Sequence, residues 1–408
     1  MYANKRLGSS SPVRKFVRNR LQAALHHAMD WRLFLCYGYY MKNLAFGKFT
    51  ISESSPTLII AEFSDGHQGS LKHAKQLIDA AVASGADVVK FQMHLPEVEM
   101  TKGVVVWAGD LQDILKKSWL SPEGHAKMID YCKEVGVQYL CTPFSPAATD
   151  VLEQLGVDGF KTGSGEVCHL PHHRKLAKIS AKTGKPVFVS TGMSTMEEIA
   201  ETVSIYTEEG GHPVLMNCTS EYPVKDYSHM RLGLVSRLRK QFNVFTGHSD
   251  HSLDALTTYI AVGLQGAKVI EKHFTLDRNG TFPDDSMSQD PAMMKELIDN
   301  VRKLEKDPEY ISKLIRGREL DALKTLSVSE KVVTVEEQII REWAFHSVVS
   351  SSNLKKGEAL SLTNVRPARP GWGIPARYLD ERYSHELLGK KVNKAIPTDQ
   401  VVYWRDLV

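Results

Sequence analysis

The sequence predicts an α/β chain built on a (β/α)8 TIM barrel with a small β-rich domain after it, and three observations carry that expectation. Eight short apolar, β-branched runs alternate with helical segments over about 250 residues. Nearly every run ends on a polar, chemically capable residue, and the carboxyl ends of its strands are where a barrel enzyme gathers its reactive groups. Beyond residue 342 the chain turns dense in Gly and Pro with only short strand-like pieces such as Ser347-Val348-Val349. At 408 residues it exceeds the roughly 250–300 that a single core usually supports. The expected division is a basic N-terminal extension (1–40), a catalytic barrel (41–305), a helical linker (306–342) and the β-rich unit (343–408).

The extension is distinct in charge: residues 1–55 hold nine of the 51 Lys and Arg but only two of the 48 acidic residues. The body is therefore slightly acidic and offers no field for gripping nucleic acid. The apolar stretch around Trp31–Tyr37 is flanked too closely by Arg18, Arg20, His26, His27, Asp30 and Arg32 to span a bilayer, and membrane association is not expected. Met41 is an alternative start, and Lys48-Phe49-Thr50-Ile51 reads as ordered structure. Five cysteines, odd in number and without a CxxC pair, argue against a disulfide framework or zinc ribbon and for a reducing, cytoplasmic setting.

The runs are Leu58–Phe63, Asp87–Gln92, Gln138–Thr142, Gly159–Thr162, Pro186–Thr191, Pro213–Cys218, Asn243–Gly247 and Lys268–His273. Helical spacing between them, as in Leu71-Ala74-Leu77-Ile78-Ala81, is bracketed by capping signals: Ser70 and Gly85, Ser121 and Gly136, Ser194 and Gly210. An open doubly wound sheet is the competing architecture, but no GxGxxG opens the first strand–helix turn, and Gly163-Ser164-Gly165-Glu166 is only a partial match.

The rim residues, in order, are Glu62; Lys90 and Gln92; Thr142; Lys161 with Ser164 and Glu166; Ser190 and Thr191; Ser220 and Tyr222; Ser249 with His251; and His273. A lysine inside an apolar strand is costly unless paired, because a desolvated ammonium loses its hydration. Lys90 and Lys161, with the hydroxyls of Thr142, Ser190 and Ser249, form a receptor for a small, highly charged anion such as a phosphorylated carboxylate. Two histidines closing separate strands suit a divalent metal that keeps positions open for substrate. Glu62 can bridge a lysine or orient water, and Asp284 in the loop after the last strand can reach the same face.

The motifs Ala86-Asp87-Val88-Val89-Lys90-Phe91-Gln92, Lys161-Thr162-Gly163-Ser164-Gly165-Glu166, Ser190-Thr191-Gly192-Met193, Cys218-Thr219-Ser220-Glu221-Tyr222-Pro223, Ser249-Asp250-His251 and Glu271-Lys272-His273-Phe274-Thr275 resemble the N-acetylneuraminate (sialic acid) synthase family. Arg366-Pro367-Ala368-Arg369-Pro370-Gly371 resembles that family's antifreeze-like SAF domain. The resemblance implies condensation of phosphoenolpyruvate with an N-acetylated amino sugar, of N-acetylmannosamine type or a di-acetamido hexose, to give a nine-carbon 2-keto-3-deoxy acid and phosphate. It also implies a divalent ion (Mn2+, alternatively Mg2+ or Co2+) on His251 and His273. Phosphoenolpyruvate would be held by Lys90, Thr142, Lys161, Ser164, Ser190, Ser220 and Ser249, and the sugar by Gln92, Glu166, Tyr222 and Asp284. In a domain-swapped homodimer Arg369 would reach the partner subunit's site. The alternatives are a phosphoenolpyruvate-dependent 3-deoxy-acid synthase with a different aldehyde acceptor, or a non-catalytic carbohydrate-binding relative. Three features depart from the family pattern: Gly66-His67-Gln68-Gly69 after the first strand; His248, a third imidazole that would compete for metal or fill space; and Trp343 as the aromatic near the sugar.

Overall fold

The computed structural model describes residues 41–106, 109–328 and 330–408, and the extension expected over 1–40 lies outside them. Eight parallel strands wrap into a nearly closed barrel: β1 (Leu58–Glu62), β2 (Val88–Met93), β3 (Gln138–Pro143), β4 (Phe160–Thr162), β5 (Val187–Ser190), β6 (Pro213–Cys218), β7 (Thr246–Asp250) and β8 (Val269–His273). The hydrogen-bonded order is β3-β2-β1-β8-β7-β6-β5-β4. At the remaining seam β3 and β4 pack side by side without a ladder, and Gln138 donates to the Asp158 carboxylate at 2.8 Å near its lower end. The seventh strand runs further than its apolar residues suggest. It begins at Thr246 and carries His248, Ser249 and Asp250 inside the ladder, because Ser249 and Asp250 pair with Glu271 and Lys272 of β8.

Period-two alternation sorts the strand residues into two cores. Leu58, Ile60, Val88, Leu140, Phe188, Val214, Met216 and Val269 fill the barrel interior, while Ile59, Val89, Tyr139, Val189, Leu215 and Ile270 face the surrounding helices. The antiparallel hairpin Leu44–Phe46 and Phe49–Ile51 inserts Leu44, Phe46 and Ile51 into the interior cluster, with Phe46 edge-on to Phe188 at 5.2 Å, so the amino end of the barrel is stoppered. Helix caps follow the sequence signals at Ser70 and Ser121. In the helix Met196–Glu209, however, Thr195 is the cap, completing a capping box with Glu198, while the Ser194 hydroxyl donates to the Thr191 carbonyl.

Past the helix Pro291–Lys306 the chain forms the helices Ile311–Leu314, Glu319–Leu326 and Val335–Ala344. The last of these lies on the barrel rim. Its buried Glu337 accepts backbone N–H groups from Met193 (2.8 Å) and Ser220 (2.9 Å), and its Arg341 pairs with Glu198 at 2.6 Å. Trp343 belongs to this helix rather than to the final domain. The final domain has the antiparallel pair β9 (Ser347–Ser350) and β10 (Val365–Ala368) around its own core of Val348, Leu360, Ile374, Leu387, Val392 and Val402. It docks on the barrel through Arg174, whose guanidinium makes two bonds to Asp380 (2.8 and 3.0 Å), and through reciprocal backbone bonds of Arg369 with Glu99 and Thr101, each 2.9 Å.

Candidate active site

At the carboxyl ends of the strands the inward positions change from apolar to polar. Glu62 follows Ile60, Lys90 and Gln92 follow Val88, Thr142 follows Leu140, Ser190 follows Phe188, and Glu271 and His273 follow Val269. With Lys161, Ser164 and Ser249 they line a cavity of ≈ 250 Å³.

Its floor is a buried charge network. The Lys90 ammonium lies 2.6 Å from Glu62 and 3.8 Å from Glu271, and donates to Thr142 Oγ1 at 3.1 Å. The Lys161 ammonium lies 3.7 Å from the other Glu271 oxygen and donates to Ser190 Oγ at 2.6 Å. Ser249 Oγ donates to Glu271 at 3.1 Å. Burial alone would lower the pKa of both lysines. For Lys90, Glu271 and Glu62 outweigh burial and the value rises; for Lys161 burial wins and the value falls. Lys161 is thus the cation with most to gain from an arriving anion. Glu271, burial notwithstanding, is held well below the usual carboxylate range by Lys161 and Lys90. On one side Gly192 donates its N–H to Ser164 Oγ at 3.0 Å, and a Cβ there would meet Ser220 Oγ at 2.3 Å and Ser164 Oγ at 2.7 Å.

Above the floor stand two imidazoles with ring centroids 5.3 Å apart. His251 Nδ1 is held by the Thr219 carbonyl at 2.8 Å, and His273 Nδ1 by Ser64 Oγ (3.3 Å) and Asp284 (3.4 Å). Each ring is oriented through Nδ1, an arrangement that metal-binding histidines also use, with Nε2 then the atom that could coordinate. The Tyr222 ring lies tilted against His251, with centroids 4.2 Å apart. On the opposite wall Gln92 donates to Glu62 at 2.8 Å and contacts His94 Nε2 at 3.0 Å, while His94 Nδ1 meets Glu99 at 2.8 Å and its ring stacks on Phe144. Arg369 closes the mouth from above, 2.7 Å from Glu166 and over the Phe144 ring.

The NeuB family profile matches residues 77–312, and the SAF domain profile matches residues 345–408. The chain belongs to the NeuB family. It is an enzyme of the transferase type found among the family's sialic, legionaminic and pseudaminic acid synthases. It is 34% identical to the N,N'-diacetyllegionaminic acid synthase of Campylobacter jejuni, over 85% of this chain and 98% of that one. It is 30% identical to the N-acetylneuraminate-9-phosphate synthase of Drosophila melanogaster, over 86% and 95%. The crystal structure of the spore coat polysaccharide biosynthesis protein SpsE from Bacillus subtilis superposes with a TM-score of 0.74 at 29% identity, covering 90% of this chain and 99% of that one.

In this NeuB chain Glu62, Lys90, Gln92, Thr142, Lys161, Ser164, Ser190, Tyr222, Ser249, His251, His273, Asp284, Trp343 and Arg369 all line one cavity. Glu166 sits behind Arg369 as its ion partner. Ser220 offers its N–H to Glu337, and its buried hydroxyl has no hydrogen-bond partner among the described residues. Arg369 lines this cavity in the single chain, with backbone bonds to Glu99 and Thr101 beside it. His248 takes no part. It occupies the strand position before inward-facing Ser249 and therefore points outward, fully buried, with Nδ1 3.0 Å from the Asn217 carbonyl. Among the described residues, the group of three metal-capable side chains with ligand atoms all within 4.8 Å of one another is Glu221, His229 and Glu336, apart from the His251–His273 pair. No helix among the described residues is long and apolar enough to cross a membrane.

Sequence reasoning missed Glu271, Ser64 and His94. The signal for Glu271 was present, since residues two apart on a strand share a face and His273 had been placed on the rim. Ser64 adopts a left-handed backbone (φ 48°), which turns its hydroxyl onto His273, and nothing local in the sequence announces that.

Proposed function

We propose that this chain is a nonulosonic acid synthase that joins C3 of phosphoenolpyruvate to the aldehyde carbon of an open-chain N-acetylated amino sugar and releases phosphate. The observation that carries the reading is the Glu271-bridged Lys90–Lys161 floor lying in one cavity with the His251–His273 pair. The names of the relatives, which include legionaminic, pseudaminic and N-acetylneuraminate-9-phosphate synthases, support it.

Lys90 and Lys161, with Thr142, Ser164, Ser190 and Ser249, bind the phosphate and carboxylate of phosphoenolpyruvate. His251 and His273, each fixed through Nδ1, fit a divalent cation, Mn2+ or alternatively Mg2+ or Co2+, which would act as a Lewis acid toward the acceptor carbonyl. As C3 attacks, positive charge develops at C2 and water adds there. Glu62, held between Lys90 and Gln92, takes the water's proton. The C–O bond to phosphate then breaks, and the two lysines stabilise the charge on the departing anion. Tyr222, Gln92 and Asp284 orient the sugar from three sides.

The test is phosphate release and mass spectrometry of the product from phosphoenolpyruvate and N-acetylated amino sugars with Mn2+ present. The expected product is a nine-carbon keto acid, lost in His251→Ala and His273→Ala variants that keep the parent circular dichroism. Phosphate release only with simple aldose phosphates overturns the proposal, and undiminished product from both variants overturns the metal assignment.

A further inference from the structure

His94 lines the cavity wall with both ring nitrogens engaged. Nδ1 lies 2.8 Å from Glu99 Oε1, and Nε2 lies 3.0 Å from Gln92 Oε1. The other end of that amide points at Glu62, with Gln92 Nε2 2.8 Å from Glu62 Oε1. A carboxylate oxygen only accepts hydrogen bonds. Glu62, whose second oxygen is 2.6 Å from the Lys90 ammonium, therefore takes the NH2 side of Gln92, and the amide oxygen is left for His94. That oxygen and Glu99 are both acceptors. Both nitrogens of His94 must then donate, and only the imidazolium carries two N–H groups.

The surroundings suit a charged ring. Glu99 is buried behind it, Asp65 lies 3.8 Å from Nε2, and the ring stacks on Phe144 with centroids 4.2 Å apart. Burial works to lower the His94 pKa, but Glu99 and Asp65 outweigh it and the value rises, even though the Arg369 guanidinium over the same Phe144 ring opposes them. The neighbouring imidazoles go the other way: burial pushes His67 down to about 4 and His125 down to about 3, so both stay neutral.

We infer that His94 is a positioning residue for the base: carried as the imidazolium, it pins the Gln92 oxygen and so keeps the Gln92 N–H on Glu62. A neutral His94 would present a lone pair to Glu99 or to the Gln92 oxygen. In the second case the amide turns over, its oxygen meets the Glu62 carboxylate, and the group that takes the water's proton loses its orientation. The inference rests on the synthase reading above, in which Glu62 is that group.

Histidine-selective 15N NMR of the full chain reads the protonation state directly, with the His94 signals identified by their loss in His94→Leu. At pH 7.5 an imidazole with the ordinary pKa of about 6.5 has lost one proton. The expected result is two protonated ring nitrogens on His94 at that pH, reduced to one in Glu99→Gln, a milder change that should keep the parent circular dichroism. Phosphate release from phosphoenolpyruvate with Mn2+ and a saturating N-acetylated amino sugar reads the coupling. His94→Leu and Gln92→Leu should each lower kcat at least about tenfold, with KM for phosphoenolpyruvate within about twofold of the parent. The double variant should be no slower than the slower single one, because the two residues act through one contact. A single protonated nitrogen on the parent's His94 at pH 7.5, or losses that multiply in the double variant, overturns the inference while leaving the synthase reading intact. A parent chain that turns over no amino sugar overturns the synthase reading, and with it the role given to His94.

Discussion

Glu271→Gln isolates the charge that makes a two-lysine floor tolerable in an empty site. The amide keeps the shape and can still accept from Ser249, but Lys161 loses its nearest carboxylate, at 3.7 Å, while Lys90 keeps Glu62 at 2.6 Å. Breaking a buried pair by removing one partner costs about 3–5 kcal/mol. With one of the two lysines still neutralised, about 2 kcal/mol is the expected loss, or roughly 4–8 °C in Tm for a domain of this size. Anion binding should move the other way. A unit charge about 6 Å from the bound anion is worth on the order of 2–3 kcal/mol at an effective dielectric constant of about 20. Allowing for the lysines to splay apart, at least about tenfold tighter inorganic phosphate or phosphoenolpyruvate binding follows. Differential scanning fluorimetry across a phosphate titration reads both quantities: the variant starts lower than the parent and gains more. A variant with parental Tm and parental phosphate affinity refutes the argument. So does one that no longer binds phosphate, which would make Glu271 the residue that positions the lysines rather than the one that neutralises them.

Two further outcomes test the scaffold. Burial pushes the Asp65 carboxyl up from 3.8 to about 6, so the fold favours its protonated form; its contribution is present below the unfolded value and lost as pH rises through about 6, and Asp65→Asn should therefore raise Tm at pH 8 and leave it unchanged near pH 3.5, with a ceiling of about 3 kcal/mol. Equal shifts at both pH values refute this. Phe46→Ala at the barrel base, where the ring is fully buried, should cost about 3–5 kcal/mol in denaturant unfolding with unchanged KM values; altered KM values would show that the base and the site are coupled.

Much of the site was legible because strands obey strict parity and because buried charge is expensive. Lys90 and Lys161 stood out in apolar runs for that reason, and the rim residues around them followed. Strand parity also places Glu271 on the face of His273 and His248 on the face opposite Ser249. The seventh strand runs past its apolar residues because it turns polar just where its side chains reach the cavity. The rest depends on contacts between distant segments. Glu337 reaches Ser220 across 117 residues and Arg369 reaches Glu166 across 203, and no local pattern encodes either meeting.

Among the described residues, the hairpin that stoppers the barrel base leaves the carboxyl ends of the strands as the way into the cavity. Below the lysine floor the described residues form apolar packing that Phe46 helps to fill, and Tyr222, Trp343 and Arg369 line the cavity above it. Traffic through one doorway has a sequence: the occupant of the floor must arrive first, and a sugar that enters ahead of it blocks the passage. Excess acceptor should therefore slow the enzyme at low phosphoenolpyruvate and cease to do so when phosphoenolpyruvate is saturating.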